Sequence, residues 1–429
     1  MSDYESFESK LLGESYTKLK HKSGLNIYVL NKNMSGYYAI FSTKFGGSYT
    51  EYVCDGENVS IPLGCAHFLE HKLFDNEDGV GADDIFSAYG AYDNAYTSSE
   101  RTAYLFGSSG RFDECLEELL SFVTHPYFTD KSVKKEIGII AEEIRGCMDD
   151  PYDRCYMNML DGMYFYNGVK NEICGSEESI SKLNPDILYK CCRDFYNPEN
   201  MVLCVCGNVD MPRVEKIVDK CIEVSEKRSD VRPISYNEPA QVKREYSEKR
   251  MAVSKPILCI GIKDIDIPQD SYERMKKSEC VSILCSMMFS QSGQFYLDML
   301  NEGLISPGFD CGYSINKTTA YVEMSGESDD PEKLIEKIKV YIDDFKNRKF
   351  DTVSFEREKK AAYASYISDF DSTSDIAFAM LGAADDGVGL FEYLDLLNSI
   401  TPEDITHVLD KVFNIEYMSM SVVYPIENI

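Results

Sequence analysis

Strand-like and helix-like stretches follow one another in the same order twice along this chain, on either side of a polar segment. That doubled order limits the fold more than any other feature of the 429-residue sequence. The first round opens with apolar, β-branched and aromatic runs at 25–30 and 37–45, closed by Gly46-Gly47. A short helix-period segment follows, then the paired runs 90–97 and 101–106, whose Tyr, Thr and Phe content suits a hairpin. Helices are expected over 112–123, where Leu116, Leu119, Leu120 and Val123 share a face, and over 129–147, where Val133, Ile137, Ile140 and Ile144 form one stripe. A strand at 201–206 ends the round at Gly207. The second round has a strand at 256–262, helices from 271 to 302, strands at 309–314 and 319–325, helices at 331–345, 353–368 and 402–413, and a last strand at 418–423. Between the rounds, 227–248 is charged, contains Pro233 and Pro239, and has few periodic apolar positions, as a linker does. The expected division is 1–226, linker 227–248, and 249–429, since a chain of this length exceeds one ordinary core. No internal sequence repeat accompanies the doubled order.

The chain has only five histidines, His21, His67, His71, His125 and His407, and two of them fall in His67-Phe68-Leu69-Glu70-His71. On a helix, positions i and i+4 share a face, so both imidazoles reach one metal ion. Glu70 lies one turn from His67 and beside His71, within reach of a water on that ion. Zinc lowers the pKa of such a water to roughly 7, and a nearby carboxylate takes its proton as it attacks a carbonyl. The order H-x-x-E-H is the inverted zinc-protease motif. The plain alternative is two ordinary histidines on an amphipathic helix, because short motifs also match by accident.

Further along, Glu136 and Glu143 bracket Ile140 at the edge of the apolar stripe, whereas Glu142 points about 100° away. A carboxylate leaning inward needs a metal ion, a histidine or an arginine beside it. Glutamates on helices are nevertheless usually solvated. The hairpin 90–97/101–106 offers an edge that can accept an extended peptide by β-augmentation, or simply faces solvent.

A formal charge of -29 argues against nucleic acid and anionic membranes as partners, while it favours basic peptides or serves solubility alone. No run of roughly 18 apolar residues is present to span a membrane. The fifteen cysteines are scattered through helices and strands, and Met1 is followed by a polar start, so a cytoplasmic protein with reduced thiols is expected. A purely structural zinc site would close with a fourth protein ligand; Cys65, two before His67, is the thiol nearest in sequence.

With His67-x-x-Glu70-His71 in the first strand-helix unit and Glu143 following at distance, the chain resembles the pitrilysin/insulinase family of zinc metallopeptidases. The likeness spans nearly the whole chain and is nearest to bacterial half-length members related to the mitochondrial processing peptidase subunits. It implies an α+β fold of two related domains, each a mainly antiparallel sheet with helices packed on it, together half of a clamshell. It further implies a zinc cofactor held by His67, His71 and Glu143, with Glu70 as general base and Glu136 supporting a ligand histidine. Asn94, Ala95 and Thr97 match the family's substrate-holding edge strand beside the metal. Active members also bring an Arg and a Tyr from the second domain to the oxyanion. The corresponding stretch 295–305 contains no arginine, and its Tyr296 is out of place; Tyr313 and Tyr321 lie nearby. The resemblance therefore implies a zinc endopeptidase subunit that cleaves peptides or small unfolded proteins, for instance in precursor processing. Its expected partner is a zinc-less paralogue that supplies the Arg/Tyr pair in a heterodimer, with a homodimer as the alternative. A non-catalytic binding or scaffold subunit is the rival reading.

Overall fold

The computed structural model describes residues 3–224, 229–234 and 236–426. The chain divides into two compact units: unit 1 is Met1–Ile144, Asn171–Ser235 and Tyr366–Phe391, and unit 2 is Arg145–Lys170, Tyr236–Ser365 and Glu392–Ile429. Each is α+β, with helices packed on a mainly antiparallel sheet.

The seven-stranded sheet of unit 1 runs, edge to edge, Glu5–Ser9, Glu14–Lys20, Asn26–Asn31, Met201–Gly207, Tyr37–Thr43, Thr102–Ser108, Tyr92–Thr97. Only Asn26–Asn31 and Met201–Gly207 pair in parallel. The two central strands, Tyr37–Thr43 and Met201–Gly207, are buried at almost every position because both sheet faces are covered. Alternation sends Ala39, Phe41, Leu203 and Val205 into the larger core with Phe68, Leu116 and Val214. It sends Ile40, Cys204 and Cys206 the other way, onto Ile376, Ala377, Met380 and Leu381 of the helix Thr373–Asp386. A second sheet, Val231–Pro233, Glu51–Cys54 and Glu57–Ser60, turns at Asp55-Gly56, both with positive φ, in a two-residue hairpin loop.

The five-stranded sheet of unit 2 runs Tyr246–Met251, Met418–Pro425, Ile257–Lys263, Ala320–Glu327, Asp310–Ile315. Here too the sole parallel pair is the first, and the rest are antiparallel. Leu258, Ile260, Ile262, Val322 and Val422 face Val281, Leu284 and Ile338. Ile257, Cys259 and Val423 face Cys155, Met159 and Met163 of the helix Pro151–Met163.

A cut between 226 and 249 does not follow these units. Pro151–Met163 comes from the first half of the sequence and covers the sheet of unit 2; Thr373–Asp386 comes from the second half and covers the sheet of unit 1. Each sheet has two apolar faces to bury, and helix periodicity does not say which sheet a helix will cover. No element is expected from periodicity over 369–401, yet Thr373–Asp386 and Glu392–Ser399 lie there. Of the expected linker, residues 227, 228 and 235 lie outside the described residues, Val231–Pro233 is a strand, and Tyr246–Met251 begins inside it. No disulfide joins any of the fifteen cysteines, all of which are among the described residues. Among the described residues no helix is long and apolar enough to cross a membrane.

Candidate metal centre

The stretch with two histidines forms the helix Cys65–Lys72, within unit 1. Its start requires Gly64: φ is 89° there, and a Cβ would lie 2.5 Å from the Cys174 carbonyl oxygen. Cys65, Ala66, Phe68 and Leu69 bury one face in the core. That anchoring leaves His67, Glu70 and His71 on the opposite side, with ring centroids of the two imidazoles 4.6 Å apart.

The helix Asp130–Asp149 brings two carboxylates to these imidazoles, fixed by the burial of Val133, Ile140 and Ile144. Glu143 Oε1 lies 3.4 Å from His67 Nε2, and Glu143 Oε2 lies 3.5 Å from His71 Nε2. Glu136 Oε1 lies 3.2 Å from His71 Nδ1. An Nδ1–H donating to Glu136 leaves the Nε2 lone pair of His71 facing the Glu143 carboxylate. Lone pair against carboxylate calls for positive charge between them. Lys72, only 1 % exposed in its side chain, ion-pairs with Asp75 and lies 3.8 Å from Glu136, which fixes that carboxylate from its other side.

The electrostatics favour a cation. Burial, reinforced by the neighbouring His71, pushes the His67 imidazole down to about 4, so its ring is a neutral donor at ordinary pH. Its Nδ1 is buried and has no hydrogen-bond partner. The hydrogen bond to Glu136 pulls His71 upward against its burial, with Glu70 and Glu143 adding to the pull. For Glu136 burial acts upward, but the His71 bond and the Lys72 charge outweigh it and hold the carboxyl below its ordinary range. Two carboxylates, Glu143 and Glu136, thus face the two imidazoles, and the Lys72 ammonium lies behind Glu136. Nitrogen and oxygen donors of this kind suit a divalent transition metal; ligand atoms of His67, Glu143 and Cys174 lie within 4.8 Å of one another, and His71 Nε2 lies 3.5 Å from the second Glu143 oxygen.

Glu70 stands beside them as a third acidic group with a different partner. Thr97 Oγ1 donates to Glu70 Oε2 at 2.7 Å. Burial raises the Glu70 carboxyl and the Thr97 bond works against that rise, leaving it above the usual carboxylate range. Thr97 ends the edge strand Tyr92–Thr97, whose inner side pairs with Thr102–Ser108 in the register Asn94↔Leu105, Ala95↔Tyr104, Thr97↔Thr102. Asn94 is exposed and Ala95 half-buried, and no further described strand pairs with the outer side.

Two expectations change. Cys65 does not approach the imidazoles: two residues before His67 on a helix it points about 200° away, into the core, where its Sγ lies 3.4 Å from Cys191 Sγ. The thiol at the site is Cys174, whose Sγ is within 4.8 Å of ligand atoms of both His67 and Glu143. Nothing in the local sequence marks it, because only packing joins residue 174 to residue 67. In unit 2, Tyr296 donates to the Pro307 carbonyl, Tyr313 donates to Asp264 at 2.6 Å, and Tyr321 lies 2.6 Å from the Tyr156 hydroxyl, so all three are engaged within that unit.

Residues 57–177 match the family model described as Insulinase (Peptidase family M16), and 182–362 match Peptidase M16 inactive domain. The chain is 32% identical over 434 residues to the "uncharacterized zinc protease YmfH" of Bacillus subtilis (strain 168), covering 99% of this chain and 98% of that one. Its fold is similar to a crystal structure of a putative M16-like peptidase from Alicyclobacillus acidocaldarius, with TM-score 0.93, 27% identity, and 98% and 100% of the two chains covered. Pitrilysin shares the fold at TM-score 0.73 and 12% identity, with 99% of this chain matched to 46% of that one.

Proposed function

From the premise that this chain belongs to the insulinase family of peptidases, family M16, we propose that it is a zinc-dependent endopeptidase subunit acting on extended peptides or small unfolded proteins. The observation that carries this is the convergence of His67, His71 and both oxygens of Glu143, with Glu70 alongside on the same helix. His67, His71 and Glu143 would hold zinc. When bound there, zinc supplies Lewis acidity, acidifying a water and polarising a carbonyl. Glu70 is the general base: burial raises its carboxyl above the usual carboxylate range, which makes it a stronger proton acceptor, and it takes the proton of the attacking water and passes it to the leaving amine. Thr97 holds that carboxylate in place through its hydroxyl. Glu136 fixes the His71 tautomer and ring, and Lys72 fixes Glu136.

The free side of Tyr92–Thr97 receives substrate backbone as an added strand, which places Asn94 and Ala95 along the peptide and ends at the Thr97 contact to the base. A cytoplasmic precursor peptide is a fitting substrate, and the acidic surface favours basic ones. The engaged tyrosines of unit 2 support a division of labour in which a zinc-less relative provides the Arg/Tyr pair; a second copy of this chain is the alternative partner.

The decisive experiment pairs metal analysis with cleavage of an unfolded protein substrate, with and without a zinc-less relative. One zinc per chain is expected in both wild type and Glu70→Gln, with cleavage lowered at least about 100-fold in the variant. A chain without zinc, or a variant that cleaves normally, defeats the mechanism.

A further inference from the structure

Cys174 comes to the metal centre on a segment clamped to the start of the motif helix. A Cβ on Gly64 would lie 2.5 Å from the Cys174 carbonyl oxygen, and a Cβ on Gly175, where φ is 79°, would lie 2.6 Å from the Leu63 carbonyl oxygen. Ser179 Oγ adds a 2.7 Å hydrogen bond to that Leu63 oxygen. Two glycines facing each other's backbone in this way fix the thiol relative to the first imidazole. The half-buried Cys174 Sγ therefore lies within 4.8 Å of ligand atoms of His67 and Glu143. His67, only 8 % exposed, has a buried Nδ1 without a partner, so its ring is held by packing with its other nitrogen at the carboxylate. The group of His67, Glu143 and Cys174 holds a nitrogen, a carboxylate and a sulfur, and His71 Nε2 lies 3.5 Å from the second oxygen of that carboxylate; zinc accepts all these donor types.

We propose that Cys174 is a fourth protein ligand of the zinc, closing the centre when no substrate is bound and giving up its position when a water or a substrate carbonyl enters. The inference rests on the zinc reading of His67, His71 and Glu143. The Cys174 Sγ already lies within 4.8 Å of ligand atoms of His67 and Glu143, so a small side-chain displacement would bring it onto a cation that they share. Closing would release the thiol proton to solvent and let the sulfur take the position that a water would otherwise hold; opening would return a proton from solvent to the sulfur and leave that position to water. No electrons are transferred in either direction. Four protein ligands characterise closed zinc sites and three characterise catalytic ones, so this side chain would move the centre between the two conditions.

The test replaces zinc by cobalt(II) in the full-length chain and records the absorption spectrum without substrate, for wild type, Cys174→Ser and Cys65→Ser. The expected result is one cobalt per chain in all three, with a sulfur-to-cobalt charge-transfer band in wild type and Cys65→Ser and none in Cys174→Ser. Alkylation of Cys174, mapped by peptide mass, should be at least tenfold slower in the metal-loaded wild type than in the stripped protein. If cobalt binds stoichiometrically but wild type shows no sulfur band, the thiol ligand is overturned while the zinc reading stands. A band that persists in Cys174→Ser overturns it equally, and a chain that takes up no metal overturns both. Because the wild-type spectrum and alkylation rate decide the matter by themselves, a poorly folding variant does not rescue the idea.

Discussion

In unit 1 the strands Asn26–Asn31, Met201–Gly207, Tyr37–Thr43, Thr102–Ser108 and Tyr92–Thr97 lie side by side with one parallel and three antiparallel pairings. In unit 2 Tyr246–Met251, Met418–Pro425, Ile257–Lys263, Ala320–Glu327 and Asp310–Ile315 repeat that order and those directions. The first helix after the second of these strands in chain order, Tyr37–Thr43 in unit 1 and Ile257–Lys263 in unit 2, differs sharply. In unit 1 it is the short Cys65–Lys72, which turns His67, Glu70 and His71 toward carboxylates with no ammonium between them. In unit 2 it is Ser271–Phe289, whose buried Lys277 is closed off by Asp264 at 2.8 Å, while Tyr313 donates to that same Asp264. One topology therefore serves two electrostatic situations. A buried charge that has its counter-charge is a structural feature; donors that converge without one form a site for a cation.

The largest effect expected from testing this contrast is on metal content. His67→Ala should reduce zinc from one per chain toward none, whereas His407→Ala, at the only histidine of unit 2, should leave it at one, as measured by elemental analysis. Loss of zinc in the His407 variant would break the assignment of the chemistry to unit 1. The exchanged helices should instead behave alike. Met380→Ala and Met159→Ala, each removing a fully buried side chain that covers the second face of its sheet, should each cost roughly 2–5 kcal/mol in urea unfolding with no change in zinc per folded chain.

The pH dependence of the metal-free protein gives a third handle. Above pH 6.5 the His67 ring is neutral folded or unfolded and contributes nothing; below it only the unfolded chain takes up the proton, so stability falls until about pH 4, where the folded ring titrates as well. The loss amounts to about 3 kcal/mol at most, and His67→Asn should flatten that part of a stability-against-pH curve. The smallest expected effect separates catalysis from packing. Thr97→Val removes the bond that opposes the burial of Glu70, so cleavage near neutral pH should fall about tenfold and its acid limb should move to higher pH. Tyr313→Phe, which removes a comparable bond to Asp264 in unit 2, should lower stability and leave the acid limb in place.

Much of this was legible from local spacing. The four-residue interval between His67 and His71 fixes a shared helix face wherever the helix lies, and the runs of β-branched and aromatic residues located the central strands to within a residue or two. The charged strands Glu5–Ser9, Glu14–Lys20 and Tyr246–Met251 escaped notice because an edge or near-edge strand buries few side chains and so has little apolar alternation. Asp and Gly suit the two successive positive φ angles found at 55 and 56.

The amino-acid order alone thus determined the pair of imidazoles, the carboxylate of Glu70 between them and the doubled succession of strands, since each depends on intervals of a few residues and on the periods of helix and strand. Tertiary packing decided the rest. It selected Glu143 and Glu136 from a chain of 73 acidic residues, turned Cys65 into the core, and brought Cys174 to the metal centre through the close approach of Gly64 and Gly175. It also sent Pro151–Met163 and Thr373–Asp386 to the sheets of the opposite sequence halves. Such choices join residues far apart in the chain, and they are settled by which apolar faces must be covered and which backbones can touch, quantities that no short window of sequence contains.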